Sequence, residues 1–213
     1  MSPDSFSERL ASPTPTPGGG AAAARVGLYA ACLVRMVVGI TLKPSSSRKA
    51  QLPPEATAKL EAILAEAEEL SLSFEKLEPQ DVAAFEAFLQ ACRLPRSTPQ
   101  EREAREGARF HAALQATQVP LETMERSLQV LELAKKLGEI SRTTPLRAGS
   151  DLRAAVELSH AAFRVAELNV SENLPNLVPD EASRARKRWQ ELKAREGTLH
   201  DELQGASARE PDC

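Results

Sequence analysis

Residues 15–42 read PTPGGGAAAARVGLYAACLVRMVVGITL, and this stretch decides the fold. Pro15 and Pro17 hold the backbone extended, Gly18, Gly19 and Gly20 accept conformations closed to other residues, and four alanines start a helix of high intrinsic propensity. The chain should turn sharply there and then run straight as an apolar helix from Ala21 to Leu42. Such a helix is long enough to cross a bilayer. Two arginines argue against that reading: Arg35 would sit inside the span at roughly 2.5 to 3.5 kcal/mol on insertion scales, and Arg25 adds a second charge. Ala23, Gly27 and Ala31, one turn apart, instead let a neighbouring helix approach closely. The stretch reads as the core helix of a bundle, with no membrane partner.

Outward from that helix, the periodicity stays helical. Residues 5–11 form a short helix with Phe6 and Leu10 on one side. Beyond the polar connection of residues 43–51, Leu52 to Leu77 reads as a long helix with an apolar stripe of Leu60, Ile63, Leu64, Ala67, Leu70 and Phe74. Pro79 reads as the start of another helix reaching Cys92, Pro99 as the start of a charged helix to Gln115, and Pro120 as lying near the start of one reaching Leu137. Ser150 is a plausible cap for a helix to Leu174, and Asp180 for a last, strongly charged helix to Leu203. With no credible strand, nucleophile elbow or phosphate-binding loop, the expected fold is all-α: a single-domain antiparallel helix bundle with long central helices. The expected divisions are 1–12 as a flexible N-terminus with a short helix, 13–203 as the helical domain and 204–213 as a disordered tail.

Composition narrows the function. At 213 residues, 42% apolar and 27% charged, the chain can bury a sizeable core, and a formal net charge of −3 with mixed signs gives no general attraction for nucleic acid. Cys32, Cys92 and Cys213 are odd in number and far apart, which suits a reduced cytoplasm. His111, His160 and His200 are scattered, without a pair at ligand spacing and without a carboxylate cluster, so no metal site is expected.

Several polar residues invite a role. Gly18 to Gly20 precede a helix whose first amides are unsatisfied, which serves either as an anion-approach point or as a plain flexible turn. Asp81 heads an otherwise apolar stripe with Phe85, Phe88 and Cys92; it is either a desolvated proton-transfer group or an acid favoured by a helix dipole, and Asp151 carries the same two readings. All three asparagines, Asn169, Asn173 and Asn176, lie in one short window. Asn169 and Asn173 finish a stripe of Leu152, Ala155, Ser159, Ala162 and Ala166, so their amides bond either a ligand or the protein itself. The basic run at Arg184, Arg186, Lys187 and Arg188 reads as a solvated face, and Trp189 as an anchor for the last helix.

Taken in order, SERLASPTPTPGGGAAAA near the start, DVAAFEAFLQACRLPRSTPQE in the middle, VPLE at 119–122, SDLRAA at 150–155 and NVSENL at 169–174 resemble the cyclodeaminase/cyclohydrolase family of folate enzymes, over roughly residues 5–195. The resemblance implies a helical, homodimeric, cytoplasmic enzyme with no tightly bound cofactor and a tetrahydrofolate derivative as substrate. It implies formation of methenyltetrahydrofolate and ammonia from formiminotetrahydrofolate, or hydrolysis of the methenyl form to formyltetrahydrofolate. A noncatalytic relative that binds folate or a protein partner is the alternative. On the matching stretches, Asp81 or Asp151 would transfer the proton and stabilise the cationic product. Ser150, Asn169 and Asn173 would orient folate, and Gly18, Gly19 and Gly20 would admit the ligand close to the backbone. The chain departs from the family pattern at Ala21, where serine is frequent, at Glu139, where asparagine is common, in a longer connection to Ser150, and in having arginine at positions 25 and 35.

Overall fold

The computed structural model describes residues 5–43 and 52–207, with side chains to 203. Its helices are α1 (Phe6–Ala11), α2 (Gly19–Leu42), α3 (Pro54–Arg93), α4 (Pro99–Ser141), α5 (Gly149–Asn173) and α6 (Pro179–Ser207), with a 3-10 turn at Leu174–Asn176 and no strand among the described residues. The expected all-α bundle is what forms. Much of the connection at 43–51 and the end of the tail lie outside the described residues. The last helix continues through Ser207, past the expected end at Leu203.

The apolar stretch of residues 19–42 is the central helix. Its residues Ala21, Ala30, Ala31, Val34, Val37 and Val38 are fully buried, against α3 and α4 on one side and α5 on another. A Cβ added to Gly27 would lie 2.9 Å from Cδ1 of Phe74, so the missing side chain is what lets α3 close on α2. The two arginines that argued against a bilayer are paired with α3: Arg25 grips Glu78 through Nε at 2.5 Å and Nη2 at 2.7 Å, and Arg35 Nη2 reaches Glu68 at 3.4 Å. Those pairs also show that α2 and α3 run antiparallel.

Two expected boundaries do not exist. Pro79 lies inside α3 and Pro120 inside α4, each an unbroken helix. An interior proline loses one backbone hydrogen bond and costs about 3 kcal/mol. Burial on both sides of each proline outweighs that loss: Phe74, Leu77 and Ala84 flank Pro79, and Ala116, Val119, Leu121 and Met124 flank Pro120. A proline at a helix start and a proline tolerated mid-helix look alike in sequence. One consequence is reach, because α3 continues past its meeting with the start of α2 at Asp81 by about 18 Å at 1.5 Å per residue. The resulting α3–α4 hairpin is tied by Arg105 Nη2 donating to Cys92 O at 2.9 Å, and by a reciprocal cap between Thr98 and Glu101.

Two caps also differ from expectation. The residue capping α5 is Ala148, at φ 62 and without a side-chain cap bond, so Ser150 lies in the exposed first turn instead. Asp180 is the second residue of α6 and not its cap. A left-handed alanine costs about 1–2 kcal/mol, and no periodicity in the sequence marks one. The last helix is fastened by side chains: Leu192 and Leu199 are buried, Arg188 and Arg195 pair with Glu125 and Glu132 of α4 at 2.5 and 2.8 Å, and Trp189 Nε1 donates to Glu167 at 3.3 Å. Part of the basic run is therefore an inter-helix clamp.

Candidate active site

The first turn of α2 leaves backbone amides without helical partners, and Gly18, in extended conformation before it, has no side chain to cap them. The cap comes from another helix. Asp81 of α3 points its carboxyl at this turn and accepts a hydrogen bond from the backbone N–H of Ala21. A Cβ on Gly20 would lie 2.7 Å from Asp81 Oδ2 and closer still to Oδ1, so only glycine leaves room for the carboxyl. Gly20 thus serves Asp81 directly.

Burial disfavours the charged form of Asp81 and raises its pKa above the ordinary aspartate value; the Ala21 N–H opposes this and does not cancel it. Because α3 is continuous through Pro79, Asp81 is not in the first turn of its own helix, and the helix terminus that faces it is that of α2. What remains is a carboxyl group of raised proton affinity at a helix N-terminus, an arrangement suited to giving up a proton and then carrying a negative charge.

The start of α2 also meets the C-terminal part of α5. A Cβ on Gly19 would lie 3.7 Å from Asn169 Nδ2, an ordinary contact distance, and that amide donates to Val165 O at 2.9 Å. One turn further on, Asn173 donates to Ala116 O at 2.6 Å and ties α5 to α4. Asn173 therefore has an internal partner. Gly19, Gly20, Asp81 and Asn169 are brought together, with Gly18 adjoining them in the chain.

Ser150 and Asp151 are not. They open α5, and Asn169 lies about 27 Å along the same helix at 1.5 Å per residue. They stand at the opposite end of the bundle from Asp81. Equal-looking acids in helical first turns gave no sequence signal of this separation, because helix direction in the bundle sets it.

Sequence reasoning missed a groove of 710 Å³ between α3 and α4. It begins at Gln80, the neighbour of Asp81, and its walls include Ala84, Ala87, His111, Gln115, Gln118 and Glu122. Small residues at 84, 87 and 91 on one helix facing glutamines on the next were a legible signal once α3 and α4 are seen as a hairpin. The histidines also regroup: His160 and His200 stack, with ring centroids 4.5 Å apart, beside Glu196. The scattered reading was wrong for this pair, since α5 and α6 join residues far apart in the chain.

The sequence matches the family model described as formiminotransferase-cyclodeaminase over residues 2–193. No curated protein matches it. Among solved structures, the chain is similar to the crystal structure of formiminotetrahydrofolate cyclodeaminase from Thermotoga maritima, with 25% identity and a TM-score of 0.80, over 97% of this chain and 95% of that one.

Proposed function

The chain belongs to the formiminotransferase-cyclodeaminase family, and from that membership we propose that it converts formiminotetrahydrofolate to methenyltetrahydrofolate and ammonia. The observation that carries the proposal is the Asp81 carboxyl, held over Gly20 at the amino end of α2, with its pKa raised by burial and Asn169 close by.

The chemistry matches such a group. The second folate nitrogen attacks the formimino carbon, forming one carbon–nitrogen bond and a tetrahedral centre. The formimino nitrogen then leaves as ammonia, having gained one proton from the attacking nitrogen and one from an acid. The methenyl product keeps one positive charge, which equals the proton taken up. Asp81, protonated at the start, supplies that proton to the departing nitrogen, and its carboxylate then lies beside the developing cation. Asn169 orients the folate by hydrogen bonding, and the side-chain-free surface at Gly18 and Gly19 lets the ligand approach the backbone. The reaction involves no redox change, so we assign no tightly bound cofactor. On the family resemblance we also propose a cytoplasmic homodimer.

The test is the near-ultraviolet appearance of methenyltetrahydrofolate from formiminotetrahydrofolate, with ammonia measured in parallel, and the disappearance of the methenyl form when it is the substrate. Enzyme-dependent appearance with ammonia release supports the cyclodeaminase. Accelerated disappearance alone assigns the cyclohydrolase reaction. No change in either direction, with folate still bound, assigns a noncatalytic folate-binding relative, and would point to Ala21 and Glu139, where the chain departs from the family pattern.

A further inference from the structure

Away from Asp81, α5 and α6 bring together three side chains that the folate chemistry does not use. His160 comes from α5, and Glu196 and His200 stand one turn apart on the same face of α6. One nitrogen of each imidazole and one carboxylate oxygen lie within 4.8 Å of one another. Glu196 is buried, its side chain only 6% exposed, and pairs with His160 Nδ1, whose side chain is 27% exposed. Beyond that pair, neither Glu196 Oε1 nor His160 Nδ1 meets a hydrogen-bond partner, although both atoms are buried.

A carboxylate whose buried Oε1 has no hydrogen-bond partner beyond the His160 contact is costly unless a cation completes it. Two neutral imidazoles and one carboxylate are the donor set of a borderline divalent metal. Donors around a tetrahedral zinc ion stand about 3.4 Å apart, so small side-chain rotations from the present spread suffice. We propose that His160, Glu196 and His200 form a binding site for a divalent transition metal of the zinc class, fastening α6 to α5. The half-exposed histidines leave the remaining coordination positions to water. This inference stands on its own geometry and does not depend on the folate reaction.

The probe is zinc itself, titrated into the full-length, tag-free protein after chelator stripping, in competition with a chromogenic chelator, with cobalt as a spectroscopic substitute. The expected result is one equivalent bound at about micromolar affinity or tighter. Cobalt should give the visible absorption of a low-coordinate nitrogen and oxygen site. Glu196→Gln, His160→Gln and His200→Gln should each weaken binding about tenfold or more. Melting temperature should rise by about 5–10 °C at a hundredfold excess of zinc over Kd. The shift is measured within each variant, with and without zinc, so any change in the variant's own stability cancels. The H160Q/H200Q double variant keeps His111 and the cysteines, and so reports binding elsewhere. Wild-type binding no stronger than that of the double variant, or a melting temperature unmoved by zinc, would overturn the site.

Discussion

The carboxyl of Asp81 fills the space that a side chain at position 20 would need, so Gly20 and Asp81 form one structural unit across α2 and α3. The amide of Ala21 completes it. A helix start that lacks a local capping side chain has been closed by a residue whose burial raises its proton affinity against the opposing pull of that amide.

Gly20→Ala should therefore displace the carboxyl. An added methyl group in this contact is overpacking, with a cost of about 1–3 kcal/mol. Gly19→Ala places its methyl at ordinary contact distance from Asn169 and should change stability by less than about 0.5 kcal/mol. Chemical denaturation of both variants checks the difference, and equal losses would show that close approach of Asp81 is not what requires glycine at position 20.

Asp81→Asn separates catalysis from stability. The amide keeps the shape and can still accept from the Ala21 N–H, but cannot supply the proton, so turnover should fall at least about a hundredfold. Stability should move the other way. Since the folded pKa of Asp81 is raised, this group's contribution is fully present below its unfolded value and is lost as pH rises through the raised folded value. At neutral pH the wild type carries that penalty and the asparagine variant does not. Melting temperatures at pH 4 and pH 7 should show the variant gaining relative to wild type as pH rises. Turnover unchanged in the variant would remove Asp81 from the mechanism.

The bundle and the core role of residues 19–42 were legible because each rests on local pattern: an unbroken apolar helix and small residues one turn apart. Asp81 and Asn169 stood out as polar residues on apolar stripes, but their meeting with Gly20 and Gly19 was not legible. Other features were not legible because they depend on partners distant in sequence. Pro79 and Pro120 could be placed mid-helix only by knowing what their neighbours bury against. Ala148 takes a left-handed conformation that nothing in its side chain favours. Asp81 and Asp151 looked equivalent until helix direction put them at opposite ends, and His160 met His200 only through α6.

Asp151→Asn tests that separation. Asp151 lies in the first turn of α5, far from Gly20 in the chain's own fold, so its replacement should change turnover by less than about threefold while Asp81→Asn abolishes most of it. Steady-state kinetics on both variants decides. A loss at Asp151 as large as that at Asp81 would mean that Asp151 reaches the site from a second subunit, and mixing the two inactive variants should then restore activity.

The arginines of α2 give the last contrast. Arg25 holds Glu78 with two hydrogen bonds, the Glu78 side chain is only 15% exposed, and the guanidinium lies 4.5 Å from the centre of the Phe6 ring. Arg25→Ala leaves a poorly hydrated carboxylate without its cation and frees Phe6 of α1, a loss of about 2–3 kcal/mol. Arg35 meets Glu68 at 3.4 Å with the glutamate side chain 59% exposed, and Arg35→Ala should cost less than about 0.5 kcal/mol. Arg25→Met, which keeps much of the apolar stem, should recover little, because the stranded charge on Glu78 and not lost packing dominates the cost. The double variant Arg25→Met with Glu78→Gln should recover most of it. Urea denaturation of these variants at neutral pH checks the order, and equal effects at positions 25 and 35 would show that the part-buried pair with α3 does not govern how the central helix is held.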